Sequence, residues 1–268
     1  MKDSLPLLEH DLKSRPVFTP EALVEVVRKK KHLGSEPIPE VCVLEFDGDL
    51  TDWLVSRGMT RPCEAWACFH SSMFLLDVDG IACGIVPRTI GGPFSVLVAE
   101  QMAISGARVV MGLTSAGQVS SEMPVPGLVS VTGAIRDEGT SYHYLPPARE
   151  VIAQSRLSKL LEVELKKQSL PTKSGIVWTT DAPYRETAKE LSLHHTAGVL
   201  AVEMQAASLL AFSEARKFPV GIVAHVTNSA SQKDDVFDKG DHESEFGILL
   251  AICRAGIRFL FKHERIVS

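Results

Sequence analysis

IVWTTDAPYRET at residues 176–187 and VEMQAASLLAF at 202–212 decide how the rest of the chain reads. In the first, Ile176, Val177 and Trp178 form an apolar run suited to a buried strand, and the residues after it turn to expose Asp181, Tyr184 and Arg185. In the second, Glu203, Met204 and Gln205 stand where an apolar strand end meets the small-residue start of a helix. Open α/β sheets place their ligands at such polar strand ends.

Outward from these segments, short apolar runs alternate with helical stretches from Pro39 onward. VCVLEF (41–46) is an expected strand, ended by Asp47-Gly48-Asp49, with a helix over Leu50 to Arg57. MFLLDV and IACGIVP flank Asp79-Gly80, a hairpin signal. Ile90-Gly91-Gly92-Pro93 opens a helix to about Ser105. ARVVMGL (107–113) predicts a strand followed by a TSAGQ loop, and LVSVTGAIR (128–136) another strand. Helices are expected over Ala148 to Gln168, Arg185 to His194, Gln205 to Lys217 and 243–263. PVGIVAHVTN (219–228) is the last strand, with a polar loop over 229–242. Ahead of all this, Thr19 caps a helix from Pro20 to about His32. The expected architecture is α/β: a single domain over 39–268 with a mixed, mostly parallel twisted sheet flanked by helices, and an N-terminal extension over 1–38.

A chain of 268 residues with 45% hydrophobic content can bury a sizeable core. Its net charge of −5 argues against nucleic acid or an acidic membrane as partner, and Arg28 to Lys31 reads as a solvated helix end. Five cysteines without a C-x-x-C pair suggest free thiols in a reducing compartment. With no signal-like start and no long apolar run, a soluble cytoplasmic protein is expected.

Several loops could carry chemistry. Gly91-Gly92-Pro93 at a helix start can approach an anion or simply turn the chain. Thr114, Ser115 and Gly117 supply small donors that suit an anion or a sugar, or a plain turn. RDEGTSYHY (136–144) concentrates charges, hydroxyls and phenols around one glycine. Glu203 either faces a ligand or pairs with an arginine. Asn228 either hydrogen-bonds a ligand or caps its turn, and Asp181 and Arg185 either pair with each other or contact substrate. His194 and His195 lack metal-ligand spacing, so no metal is expected.

As an ordered set these pieces resemble the nucleoside phosphorylase family, on its uridine phosphorylase-like branch. TIGGPFSVLVAEQM resembles the family's TGIGGPS segment and LTSAGQ its GTTGA loop. TTDAPYRET resembles the base-site loop, and VEMQAASL the VEMEAA ribose motif. The resemblance implies cleavage of a ribose N-glycosidic bond by phosphate, with phosphate as co-substrate and no other cofactor. It also implies a homo-oligomer, a dimer or a trimer of dimers. Met204 and Gln205 would then hold the ribose, with Glu203 beside them. Thr180, Asp181, Tyr184 and Arg185 would face the base, Gly48, Thr114, Ser115 and Gly117 the phosphate, and Asn228 the leaving group.

The departures from the family pattern fall on its charges. Where the family has phosphate-gripping arginines, this chain has Asp52, Phe69 or His70, and Gly112. Arg88 is the expected substitute, with Arg57 or Arg61 as others. Gln205 replaces the ribose acid. Asn228 replaces the acid that protonates a departing purine, which favours a pyrimidine nucleoside such as uridine. Three functions follow: a phosphorylase with a rebuilt phosphate site, a nucleosidase that uses water, and a nucleoside-binding protein without turnover.

Overall fold

Strands that are apolar on both faces need cover on both faces, and helices supply it here on either side of one sheet. The computed structural model describes residues 5–229 and 240–261. The helices are α1 (Pro20–Lys31), α2 (Asp49–Ser56), α3 (Gly92–Ser105), α4 (Ser155–Leu165), α5 (Ala188–Thr196), α6 (Ala206–Arg216) and α7 (His242–Phe261). The strands are β1 (Val41–Glu45), β2 (Arg61–Pro62), β3 (Phe74–Val78), β4 (Ile81–Pro87), β5 (Val109–Gln118), β6 (Gly127–Asp137), β7 (Glu150–Ile152), β8 (Thr172–Thr180), β9 (Ala201–Glu203) and β10 (Val220–Ser229).

Side-chain alternation along the central strands divides the core into two layers. Cys42, Leu44, Val110, Ile222 and Ala224 pack with Val96 and Ala99 of α3 and Leu209 and Phe212 of α6. Val41, Val43, Val109, Met111 and Val223 pack with Leu157 and Leu161 of α4 and Ile248, Leu249 and Ile252 of α7. Truncating one such aliphatic side chain to alanine costs about 2–5 kcal/mol. Ahead of β1, Val24 and Val27 of α1 bury against Ala67 and Ile104.

The pivot of the topology is β5. Its residues Val109 to Leu113 pair in parallel with β1, and beyond β1 the sheet continues through β4 and β3 to β2. Along its other edge β5 runs parallel to β10 from Val110 to Gln118. Near its end, Gly117 and Gln118 pair antiparallel with Val202 and Ala201 of β9. Since β10, β6, β8 and β9 pair in succession back to β5, these five strands close a ring. The sheet is mixed, and its longest ladders, β5–β10 and β6–β8, are parallel.

Local signals hold where the chemistry is local. Thr19 caps α1 by accepting from the Ala22 amide at 3.4 Å. Asp79 and Gly80 take φ of 54° and 80°, the left-handed pair that a tight hairpin requires. Three expectations need correction. TSAGQ is not a loop: it is the second half of β5, its backbone taken by β10 and β9. The helix expected from Ala148 begins only at Ser155, because Glu150 to Ile152 pair with Ile135 to Gly133 of β6. The helix expected from Arg185 begins at Ala188, where Thr187 and Glu190 form a capping box. Most of the 229–242 loop and the last two residues of the 243–263 helix lie outside the described residues. Among the described residues no helix is long and apolar enough to cross a membrane.

Candidate active site

A cavity opens where β5 changes neighbours. With β1 paired up to Leu113 and β9 only from Gly117, Thr114, Ser115 and Ala116 keep β10 on one edge and border the cavity on the other. A switch of strand partner leaves such a crevice. Its volume is about 350 Å³, within the range of small-molecule sites. The walls are Asp47 after β1, Ile90 before α3, and Thr114 to Gly117 of β5. Pro183 and Glu186 from the β8–α5 connection, Val202 to Gln205, and Asn228 and Ser229 of β10 complete them.

The VEMQ segment holds this arrangement together. Glu203 is 4% exposed, and its carboxylate accepts from Thr179 Oγ1 at 2.5 Å and from the Gln205 and Ala206 amides at 2.7 and 2.8 Å. Those amides belong to the start of α6, where the helix dipole also favours negative charge. Burial nevertheless outweighs the donors and pushes the Glu203 carboxyl up to about 7. Gln205, also buried, ties three elements: its Oε1 accepts from the Gly91 amide and its Nε2 donates to Thr114 Oγ1, both at 2.8 Å. Both polar ends of Gln205 are therefore engaged within the protein. Ser115 Oγ donates to Asp47 Oδ1 at 3.1 Å.

Of the residues expected at the site, Thr114, Ser115, Gly117, Glu203, Met204, Gln205 and Asn228 line the cavity. Gly48, Arg88, Thr180, Asp181, Tyr184 and Arg185 do not. Arg88 sits just outside, over Gly48. Its guanidinium pairs with Asp52, and both side chains are more than half exposed. The carboxylate of Asp52 thus holds the cation that was to replace a phosphate arginine. Tyr184 is fully exposed. Asp181 accepts from the Gly139 amide at 2.8 Å instead of pairing with Arg185. It lies at a second, more apolar cavity between Pro16–Pro20, α3 and residues 139–144. A Cβ on Gly112 would lie 3.1 Å from Phe46 Cε2, so that position points into the core and the Phe46 ring fills the space beyond it.

In the 136–144 segment, Arg136 and Glu138 bond within the protein. Arg136 is buried, donating to Ser141 Oγ and to the Leu145 and Pro146 carbonyls, while Glu138 accepts from the Ser141 amide and Ser208 Oγ. Sequence reasoning missed Asp47, Ile90, Ala116, Pro183, Glu186, Val202 and Ser229 as lining residues. Most of them stand inside segments already singled out: the Asp-Gly-Asp turn, the Ile-Gly-Gly-Pro start, the TSAG run and the 180–187 loop. Their orientation was the missing information. Two sets, Glu45–Asp47–Asp49 and Asp49–His242–Glu245, bring possible metal-ligand atoms within 4.8 Å. Glu45 is already committed to the Gly48 amide and the Thr51 hydroxyl, and Glu245 to His242.

A profile of the phosphorylase superfamily matches residues 70–252, spanning β5, the VEMQ segment and most of the cavity wall. The chain belongs to the phosphorylase superfamily. It is 23% identical to the uridine phosphorylase of Salmonella typhimurium over 194 residues, 67% of this chain and 77% of that protein. Against the uridine phosphorylase of Escherichia coli K12 the identity is 22% over the same shares. The guanosine phosphorylase of Halorubrum lacusprofundi is 26% identical over 152 residues, 55% of this chain and 61% of that protein. The relatives that this superfamily member resembles are thus named as uridine and guanosine phosphorylases.

Proposed function

We propose that the chain cleaves the N-glycosidic bond of a nucleoside by phosphorolysis, giving ribose 1-phosphate and free base. The observation that carries this reading is the junction of the VEMQ segment with Thr114 to Gly117 of β5 around one cavity of nucleoside-accepting size. Met204 would hold the ribose, Ser115 and Gly117 the phosphate, and Pro183 and Glu186 the base. Bond cleavage develops positive charge at the ribose C1′, and the carboxylates of Asp47 and Glu203 stabilise it. Asn228 has no acidic proton for a departing purine, which supports pyrimidine nucleosides, uridine foremost. A homo-oligomer, a dimer or trimer of dimers, is part of this proposal.

A second reading, hydrolysis, is favoured by one observation: among the described residues, no lysine or arginine lines the cavity. A phosphate dianion brought beside Asp47 and Glu203 meets like charge, whereas neutral water does not. Release of base from a nucleoside panel, with and without phosphate, tests both. Strict phosphate dependence establishes phosphorolysis, release indifferent to phosphate establishes hydrolysis, and binding without release removes both in favour of a non-catalytic nucleoside binder.

A further inference from the structure

The second cavity has a chemistry of its own. It holds about 650 Å³ and shares no lining residue with the first. That volume suits one small molecule. Its walls are largely apolar: Phe18 with Pro20 and Leu23 of α1, and Pro93, Val96 and Leu97 of α3. Phe18 is 67% exposed and Leu97 40%, so a ligand there would take apolar surface out of water.

The polar groups of this cavity are unevenly satisfied. Glu100 accepts from the Tyr144 hydroxyl at 3.0 Å and from Arg216 at 2.8 Å, so that guanidinium is already engaged. Burial, and then His10, whose ring stacks at 3.9 Å, hold His143 below its ordinary value, so it supplies no cation at neutral pH. Asp181 accepts the Gly139 amide at 2.8 Å, and no cation pairs with it among the described residues. Burial, reinforced by the charges of Glu138 and Asp137, holds its carboxyl above the ordinary value. The carboxylate thus has like charge nearby and no opposite charge to balance it. Gln101 also lines the cavity. Buried, its Oε1 has no donor among the described residues, while its Nε2 donates to the Leu97 carbonyl at 3.2 Å.

We propose that this cavity binds a hydrophobic amine, a ring-bearing molecule whose protonated nitrogen pairs with Asp181 while its apolar body lies against Phe18, Leu97 and Tyr144. A bound cation supplies the opposite charge that Asp181 lacks. The faces of Phe18 and Tyr144 attract a cation as well, and an anion of the same shape is repelled by Asp181. The inference stands apart from the function of the first cavity.

Three probes of one shape separate charge from apolar fit: tryptamine as cation, tryptophol as neutral molecule and indole-3-propionate as anion. Each is titrated calorimetrically into the full chain at about pH 7.5, where an alkylammonium stays protonated. Wild-type protein is expected to bind tryptamine about fivefold or more tightly than tryptophol, and indole-3-propionate most weakly. Asp181→Asn, whose amide oxygen still accepts from Gly139, is expected to bring tryptamine and tryptophol level. Leu97→Trp, which fills the cavity from a partly exposed helix position, is expected to weaken binding of all three. Excess uridine should leave tryptamine in place. Absence of tryptamine binding, equal wild-type affinities for tryptamine and tryptophol, or a preference that survives Asp181→Asn overturns the proposal. So does binding that survives Leu97→Trp or yields to uridine. A dimer seen by sedimentation that takes up no tryptamine and is broken by Leu97→Trp would instead make this face the cover for a second copy.

Discussion

Replacing Glu203 by glutamine should remove most of one pH-dependent component of stability. In the folded protein burial holds the Glu203 carboxyl up to about 7, against an ordinary value of 4.5. Between these values the native state keeps a proton that the unfolded chain has released, so stability falls as pH rises through that window and is flat above it. The displacement, at 1.36 kcal/mol per pH unit, corresponds to roughly 3 kcal/mol. Glutamine is isosteric and never ionises. Its amide oxygen can keep the Gln205 and Ala206 amides, while its nitrogen faces Thr179 Oγ1, which already accepts from the Ala207 amide at 2.9 Å. The exchange should cost about 1 kcal/mol in acid, where wild-type Glu203 is neutral too. Urea unfolding of both proteins at about pH 5 and about pH 8 measures the effect. The stability difference should move by roughly 2.5 kcal/mol in favour of glutamine on going to the higher pH, because the unfolded carboxyl is already mostly ionised at pH 5. Other buried carboxyls, Glu45 among them, titrate equally in both proteins and cancel. A difference that stays constant across the range would refute the reasoning, showing that three donors at a helix start outweigh desolvation.

Three further outcomes are expected. Gly112→Arg, which restores a family arginine in sequence, should destabilise by about 3 kcal/mol or more, because its Cβ already meets the buried Phe46 ring. It should confer no phosphate dependence, as read by denaturant midpoint and by base release. Arg88→Ala should cost less than about 1 kcal/mol, since the Asp52 pair is exposed. The phosphate KM should stay put, and a tenfold rise would show that Arg88 leaves Asp52 to bind the anion. Gln205→Ala strands the Gly91 amide and the Thr114 hydroxyl and should lower stability by about 2–4 kcal/mol. Gln205→Glu should be milder, because a carboxylate accepts from both once the Thr114 hydroxyl turns from the Ser115 carbonyl.

Where a decision depends on adjacent residues, the chain alone reveals it. The Asp79-Gly80 hairpin, the Thr19 cap, the near-continuous apolar runs of β1 and β10, and the VEMQ junction all follow from turn chemistry and local apolar patterning. So does the membership of most cavity segments, since small and polar residues at strand ends mark them out. The errors share one cause. Thr114 to Gln118 read as a loop because Ala116 and Gly117 are weak strand formers amid small polar residues, yet β10 and β9 satisfy their backbone and hold them extended. Glu150 to Ile152 leave the helix because the edge of β6 offers them hydrogen bonds.

Which polar groups remain free for a ligand was decided by tertiary structure alone. Gln205 and Glu203, the most prominent residues of the motif, are consumed in tying β5, α3 and α6 together. Arg88 is captured by Asp52, and Gly112 faces a phenyl ring instead of an anion. Glu186, one letter in a loop, lines the cavity with no donor to its carboxyl among the described residues. Periodicity and turn residues act over a few positions, so the sequence determined the elements and their order. Partners such as Gly91 and Gln205 are 114 residues apart, so only the closing of the sheet decided which side chains bind the protein and which are left to bind something else.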